Sequence, residues 1–256
     1  MKSNSILLKQ LLAAFCMVAC MAGCKKDSAE KDTIVITANG NITSRLDEFR
    51  QLLGPTLNTT PGATGGHREI NWEIVPDSLL GKILPNDFFN PVGDDPALAV
   101  RQKGLVYDGT STFMVTNNNF ATINTEASTE FSAFSGNRTF ANVSNSLWPV
   151  DPQVPGKNRA ATVKGFGVVF SDVDVANSTF IEFFSEHKSL GKFFAPVHNS
   201  ASSFSFVGVY FKKEKITRIQ VGHDGFLTQG GKDISDGGSK DFVILDDFLF
   251  SEPVEK

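Results

Sequence analysis

The sequence predicts an all-β protein of antiparallel strands, with a short N-terminal helix and a long loop-rich segment before the most regular strands. Phenylalanine dominates the aromatic residues, with 23 copies against 2 tyrosines and 2 tryptophans, and it favours strands, as Val, Ile and Thr do. From residue 160 onward, short apolar runs recur about every ten residues between turn residues, which is typical of a sandwich or barrel.

The chain begins with an apolar segment that is typical of an export signal. Lys2 and Lys9 accompany the apolar run 11–22, and small residues stand directly before Cys24. The run has 12 residues, whereas a bilayer span needs roughly 20. The pattern resembles the lipobox of bacterial lipoproteins, which implies that residues 1–23 are a signal peptide and that Cys24 carries acyl chains. An ordinary secretory signal is the alternative.

Residues 24–32 are polar and are expected to form a flexible tether, so that one folded domain covers residues 33–251. All three cysteines precede this domain, which excludes disulfides and thiol catalysis from it. Removal of residues 1–23 takes two of the 24 basic residues, so 22 basic and 28 acidic residues remain, a formal charge of −6. An acidic chain without a basic cluster is a poor partner for nucleic acid.

The loop-rich N-terminal part of the domain, residues 33–150, starts with a predicted strand at 33–38. A helix is expected over residues 42–53, with Ser44 as its N-terminal cap and Gly54 at its end. Its apolar face would consist of Leu46, Phe49, Leu52 and Leu53.

Residues 54–104 are rich in Pro, Gly, Asn and Asp and carry no predicted long element. The segment is too long for a bare connection, so we expect it to wrap around the domain. Its packing residues would be Trp72, Ile74, Leu79, Leu84, Phe88 and Phe89. Short strands are expected after it, at residues 104–107, 112–116 and 139–143.

Residues 160–251 carry the clearest strand pattern. The predicted strands lie in ATVKGFGVVFS, STFIEFF, LGKFFAPV, SFSFVGVYF, KITRIQVG and DFVILDDFLFS. Residues 185–189 are expected to form the hairpin between the second and the third of these.

The order of elements resembles a group of uncharacterised secreted bacterial proteins that carry no established reaction. The matching pieces are DEFRQLLG (47–54), GGHREINWEIVPD (65–77), LPNDFFN (84–90), GFGVVFSDVD (165–174), STFIEFF (178–184), FVGVYF (206–211) and LDDFLF (245–250). Residues 160–251 also look like a jelly-roll domain of the galactose-binding or carbohydrate-binding kind, whose closing strand often contains an Asp-Asp pair between apolar residues. This resemblance implies a jelly-roll sandwich, a carbohydrate ligand and a structural calcium ion near that strand.

Two pairs of aspartates are candidate calcium ligands. Asp172 and Asp174 follow a predicted strand and are two residues apart, so both can reach one cation. Asp246 and Asp247 interrupt an apolar strand, and strand alternation predicts that only one of the two faces a given site. We predict that Asp172, Asp174 and one residue of the second pair share one structural calcium ion. The alternative is that these carboxylates belong to turns or salt bridges or face solvent.

A polar-aromatic cluster, His67, Arg68, Glu69 and Trp72, is the candidate ligand site, because a sugar site combines a flat aromatic ring with a few fixed polar groups. Alternatively, Arg68 and Glu69 fasten the irregular segment to the sandwich while Trp72 fills its edge.

No catalytic motif is present: the histidines are scattered, and there is no HExxH, GxSxG, P-loop or GxGxxG pattern. We therefore expect a monomeric, lipid-anchored binding protein of the bacterial cell envelope, in the outer membrane or at the cell surface, that binds carbohydrate and catalyses no reaction. A structural or adhesive protein with a protein partner is one alternative. A hydrolase whose site is built from loops is the other.

Overall fold

The apolar runs pair into two antiparallel sheets that pack face to face around a shared core, as the composition predicts. The computed structural model describes residues 32–107, 112–199 and 203–256, so Cys24 and the predicted signal peptide lie outside the described residues. The strands are β1 (Thr33–Asn39), β2 (His67–Ile70), β3 (Leu105–Tyr107), β4 (Phe113–Thr116), β5 (Thr139–Asn142), β6 (Leu147–Pro152), β7 (Ala161–Thr162), β8 (Gly165–Ser171), β9 (Phe180–Ser185), β10 (Lys188–Phe194), β11 (Phe204–Phe211), β12 (Arg218–Gly222), β13 (Ile244–Ser251) and β14 (Val254–Glu255).

The strand order is that of a jelly roll. The larger sheet has seven strands in the order β1-β11-β8-β13-β5-β4, with β2 also paired to β13, and the smaller sheet has five in the order β10-β9-β12-β6-β3. Eight strands, β5, β6 and β8 to β13, form the two four-stranded halves β5-β13-β8-β11 and β6-β12-β9-β10. This is the double-sheet arrangement of a jelly roll. The predicted antiparallel sandwich of jelly-roll type is confirmed.

The larger sheet is covered on both faces, and its central strands β8 and β13 are buried along their whole length. Helix α1 (Thr43–Leu53) covers the outer face of one half, where the Phe49 ring lies against the paired glycines Gly167 and Gly208. A second apolar cluster, which includes Phe120, Phe131 and Leu227 from loops, covers the other half.

Within the described parts of the chain, the smaller sheet is covered on its inner face alone. On β9 and β12, buried residues such as Phe183 and Val221 alternate with half-buried or exposed residues such as Glu182 and Arg218. The inner residues join the shared core, and their neighbours face solvent.

The N-terminal segment departs from the prediction at three places. Helix α1 begins before Ser44, so the predicted Ser44 cap is wrong; instead the Asn41 side chain accepts a hydrogen bond from the backbone of Thr43 at 3.3 Å. Strands β2 and β6 were not predicted, β2 because it is short and β6 because it contains Pro149 and Pro152. Among the described residues, no helix has the length and apolarity to cross a bilayer.

Candidate functional site

Trp72 belongs to the core and cannot reach a ligand. Its ring is fully buried, stacks on Phe140 at 4.1 Å between ring centroids, and donates its Nε1 hydrogen to the backbone oxygen of Asp246 at 2.8 Å. A sugar must contact an aromatic face that solvent can reach. The predicted ligand-binding role of Trp72 is therefore wrong.

The polar neighbours of Trp72 hold the irregular segment in place. Arg68 is fully buried and donates two hydrogen bonds to Glu252, at 2.7 and 2.8 Å, in a bidentate pair. His67 is buried beside Glu69. Burial opposes ionisation of Glu69, but hydrogen bonds from His67 and Arg50 outweigh it and lower the pKa of Glu69 to about 2. The cluster therefore matches the alternative in which Arg68 and Glu69 fasten the irregular segment to the sandwich.

Asp246 and Asp247 lie on the same side of β13, against the expectation from strand alternation. The pairing of β13 with β8 slips between Leu245 and Phe248, which is a β-bulge that turns both carboxylates towards Ser135. Both are buried, so the expectation that one faces solvent is also wrong. Burial and the neighbouring charge of Asp247 raise the pKa of Asp246 to about 8, and burial also raises the pKa of Asp247.

A group of four carboxylates, which we call the four-carboxylate group, forms at one end of the sandwich from Glu130, Asp172, Asp174 and Asp233. One oxygen from each residue lies within 4.8 Å of an oxygen from every other. The sequence prediction found Asp172 and Asp174, but Asp246 and Asp247 are outside the group. They occupy the middle of β13, whereas Asp172 follows the end of β8.

Asp172 is a buried member of the four-carboxylate group, and its carboxylate is only partly hydrogen-bonded. It is 3% exposed, and its Oδ2 has no hydrogen-bond partner within the described parts of the chain. Its backbone has a φ of 73°, a left-handed conformation that Asp tolerates better than most residues. Burial, together with the charges of Asp174 and Asp233, raises the pKa of Asp172 to about 9.

His198 and Asp241 support the same group from the side. His198 Nε2 lies 2.8 Å from Asp174 Oδ1 and 3.6 Å from Asp172 Oδ1. Asp241 accepts hydrogen bonds from the backbone of Asp174 at 3.2 Å and of Val175 at 3.1 Å, which fixes the turn after β8. Burial raises the pKa of Asp174 to about 6.

Sequence reasoning missed Glu130 and Asp233 because loops far apart in the chain bring them together. A signal for Asp233 was present in the stretch DISDGG, residues 233–238, where acidic and glycine residues mark a tight loop. No local pattern singles out Glu130, which follows the short 3-10 helix Ala127–Thr129.

The remaining histidines do not converge. His187 is exposed in the turn of the β9–β10 hairpin, at the position predicted for it. His223 is buried, and its Nδ1 donates a hydrogen bond to the Gly225 backbone oxygen at 2.6 Å. Burial lowers the pKa of His223 to about 4.

The outer face of the smaller sheet, which we call the open face, combines aromatic and polar side chains. Phe180 and Phe194 lie edge to face at 5.9 Å between ring centroids, and Phe194 is 38% exposed. Lys192 places its Nζ 3.9 Å from the Phe180 ring centre and 3.8 Å from a carboxylate oxygen of Glu182. Arg218 continues the face towards the other end of the strands.

These polar groups are held in defined positions. Glu182 accepts a hydrogen bond from Ser189 Oγ at 2.8 Å, and it lies directly opposite Gln220 in the sheet. Arg218 donates two hydrogen bonds to Asp151 on the neighbouring strand, each of 2.7 Å. The face thus presents rings at one end and fixed hydrogen-bonding groups in the middle and at the other end.

Comparison with known proteins gives no relative: no model of a protein family matches the chain, and no curated protein and no solved structure is significantly similar to it.

Proposed function

We propose that the protein is a lipid-anchored binding protein of the bacterial cell envelope that holds a carbohydrate on the open face and catalyses no reaction. The lipid anchor rests on the resemblance of the run ending at Cys24 to a lipobox. The ligand assignment rests on one observation: the described residues leave the outer face of the smaller sheet uncovered, and this face carries rings beside fixed polar groups.

The chemistry of the open face suits a sugar chain. The rings of Phe180 and Phe194 offer apolar surface to the C–H side of a sugar, while Glu182, Lys192 and Gln220 offer donors and acceptors for hydroxyl groups. Both tryptophans are buried in the core, so stacking on this face depends on phenylalanine.

A protein partner is the second candidate, and one observation favours it. Leu147 is 52% exposed and lies in the same row of the open face as Phe180, which enlarges the apolar part of the surface. Contiguous apolar surface is typical of protein interfaces.

Glycan binding by the full chain in detergent, measured on a glycan array and by affinity electrophoresis with polysaccharides, tests the proposal. We expect Phe194→Ala and Gln220→Ala each to weaken binding about two- to tenfold, since an aromatic contact and a hydrogen bond each contribute about 0.5–1.5 kcal/mol. Ile83→Ala, which removes an apolar side chain that is more exposed than Phe194 and lies outside the open face, should leave binding unchanged.

Two outcomes would contradict the proposal. Glycan binding that is insensitive to both open-face substitutions would move the ligand to another surface. Failure to bind any glycan, with specific binding of a purified surface protein that Phe194→Ala abolishes, would favour the protein partner.

A further inference from the structure

Three separate parts of the chain bring carboxylate oxygens to one point, independently of the open face. Asp172 and Asp174 come from the turn after β8, Glu130 follows the 3-10 helix Ala127–Thr129, and Asp233 lies in the loop before β13. The oxygens lie within 4.8 Å of one another, which is about twice the Ca²⁺–oxygen distance of roughly 2.3–2.6 Å. One cation can therefore contact all four residues.

Several carboxylate oxygens of this group have no hydrogen-bond partner among the described residues. Asp172 is 3% exposed and its Oδ2 has no hydrogen-bond partner among the described residues, although a buried polar atom is costly to leave unpaired. Glu130 Oε1 and Asp174 Oδ2 are buried and unpartnered in the same sense. Three such oxygens in one group are suited to contact a cation.

The other oxygens of the group are already fixed by the protein. Asp233 accepts hydrogen bonds from the backbone of Phe242 at 2.6 Å and of Ser235 at 2.9 Å, and Glu130 Oε2 accepts one from the Ser235 hydroxyl. These bonds hold the two carboxylates in place. The group thus combines oxygens that the protein fixes with buried oxygens that have no partner among the described residues, as in a preorganised ion site.

We propose that Glu130, Asp172, Asp174 and Asp233 bind one calcium ion, and that His198 positions Asp174. Four carboxylates form a hard, all-oxygen set, which selects Ca²⁺, Mg²⁺ or Mn²⁺ over soft metals. Ligands drawn from separate loops give an irregular shell, which calcium accepts more readily than magnesium with its near-ideal octahedron. His198 Nδ1 lies 3.0 Å from the Asn199 backbone oxygen, which orients the ring so that Nε2 faces Asp174.

Such an ion would tie together the loops at one end of the jelly roll. The turn that carries Asp172 and Asp174 leads directly into β9, and His198 follows β10, so the ion would stabilise the end of the hairpin that bears Phe180 and Phe194. The site differs from the calcium site that the sequence predicts, because Glu130 and Asp233 replace Asp246 and Asp247.

Calorimetric titration of the full chain, purified in detergent and freed of metal with a chelator, tests the site with CaCl₂ alone. We expect one calcium ion per chain and a thermal midpoint that rises with calcium and less with magnesium. Glu130→Gln and Asp172→Asn should each weaken calcium binding at least tenfold. Asp236→Asn, the same chemical change at an exposed position of the Asp233 loop, should bind calcium as the unmodified chain does.

The unmodified chain decides the question if a variant fails to fold. The absence of a heat signal at millimolar calcium, with a melting curve that is identical with and without chelator, would overturn the site. Equal affinity in Glu130→Gln and Asp236→Asn would place the ion elsewhere. Tighter binding of ZnCl₂ or MnCl₂ than of CaCl₂ would overturn the choice of calcium.

Discussion

The two sheets are built from the same kind of Phe-rich strands but differ in what covers them. The larger sheet carries the core on one face and α1 with several loops on the other, so β8 and β13 have no exposed residue. The smaller sheet has the core on one face and solvent on the other, and its strands alternate between buried and accessible residues. The same kind of contact between two side chains is therefore expected to contribute differently to the free energy of unfolding on each sheet.

The largest contrast is expected between two arginine–carboxylate pairs with the same bidentate geometry. The Arg68–Glu252 pair, beside the larger sheet, is buried, while the side chains of Arg218 and Asp151 on the open face are 53% and 38% exposed. Arg68→Met leaves a buried carboxylate without its guanidinium and should lower the free energy of unfolding by about 3–5 kcal/mol. Arg218→Met should lower it by about 1 kcal/mol or less.

Denaturant unfolding at one pH measures the free energy of unfolding of Arg68→Met and Arg218→Met. Arg68→Met combined with Glu252→Leu is the control, because removal of both charges should recover much of the loss. Equal losses in the two single variants would show that burial does not distinguish the sheets.

A glycine-to-alanine change on each sheet should give the next largest difference. At Gly208 an added Cβ would meet the Phe49 ring at 2.9 Å under α1, where the ring is enclosed. At Gly222 it would meet the Phe180 ring at 2.2 Å, but this ring lies on the open face and can swing into solvent. We expect Gly208→Ala to lower the free energy of unfolding by about 2–3 kcal/mol.

Gly222→Ala should cost about 1 kcal/mol or less, since relief of the clash requires one rotamer change. Thermal unfolding of both variants checks the comparison, with Gly65→Ala as a control because nothing lies within 4 Å of its added Cβ. A larger loss at Gly222 than at Gly208 would mean that the open face is as tightly packed as the covered one.

The smallest expected effect is a pH dependence that arises from the covered sheet. Folding raises the pKa of Asp246 from its ordinary value of 3.8 to about 8, so the folded chain holds a proton that the unfolded chain releases. Asp246 should therefore lower stability by about 1–2 kcal/mol between pH 6.5 and 8, and Asp172, whose pKa is raised to about 9, adds a decrease in the same direction. His223 and Glu69, with pKa values of about 4 and 2, act below this window and in the opposite direction.

Asp246→Asn keeps an acceptor for the backbone of Phe134 and Ser135 but cannot ionise, so its stability should change less with pH across this window. Unfolding of both proteins in chelator, from pH 6.5 to 8, measures the difference in slope. Identical slopes would show that Asp246 does not carry the proton.

The sequence predicted the fold well where apolar runs of strand length stand between turn residues, as they do for β8 to β13. It failed where a local feature interrupts the regular strand geometry. The bulge in β13 turns Asp246 and Asp247 to one side, and neither residue type reveals a slip in strand pairing. Strand β6 could not be predicted because it contains Pro149, and a proline is rare within a sheet.

Only part of the four-carboxylate group could be predicted, for a related reason. Asp172 and Asp174 are neighbours in the chain, so their spacing shows that they can converge. Glu130 and Asp233 join them through the closure of the jelly roll, which depends on the pairing of distant strands. Trp72 was assigned to a ligand because its polar neighbours are prominent in the sequence, whereas burial is a property of the complete fold.

Strand β13 stands in the middle of the larger sheet, where it pairs with β2, β5 and β8, yet it follows all three of these strands in the chain. The pairing of β13 with β2 joins residues from opposite ends of the domain, and contacts of this kind slow folding because a long loop must close first. The larger sheet cannot close until β13 is available. During synthesis from the N-terminus, β8 therefore stays unpaired on one edge until β13 has been made.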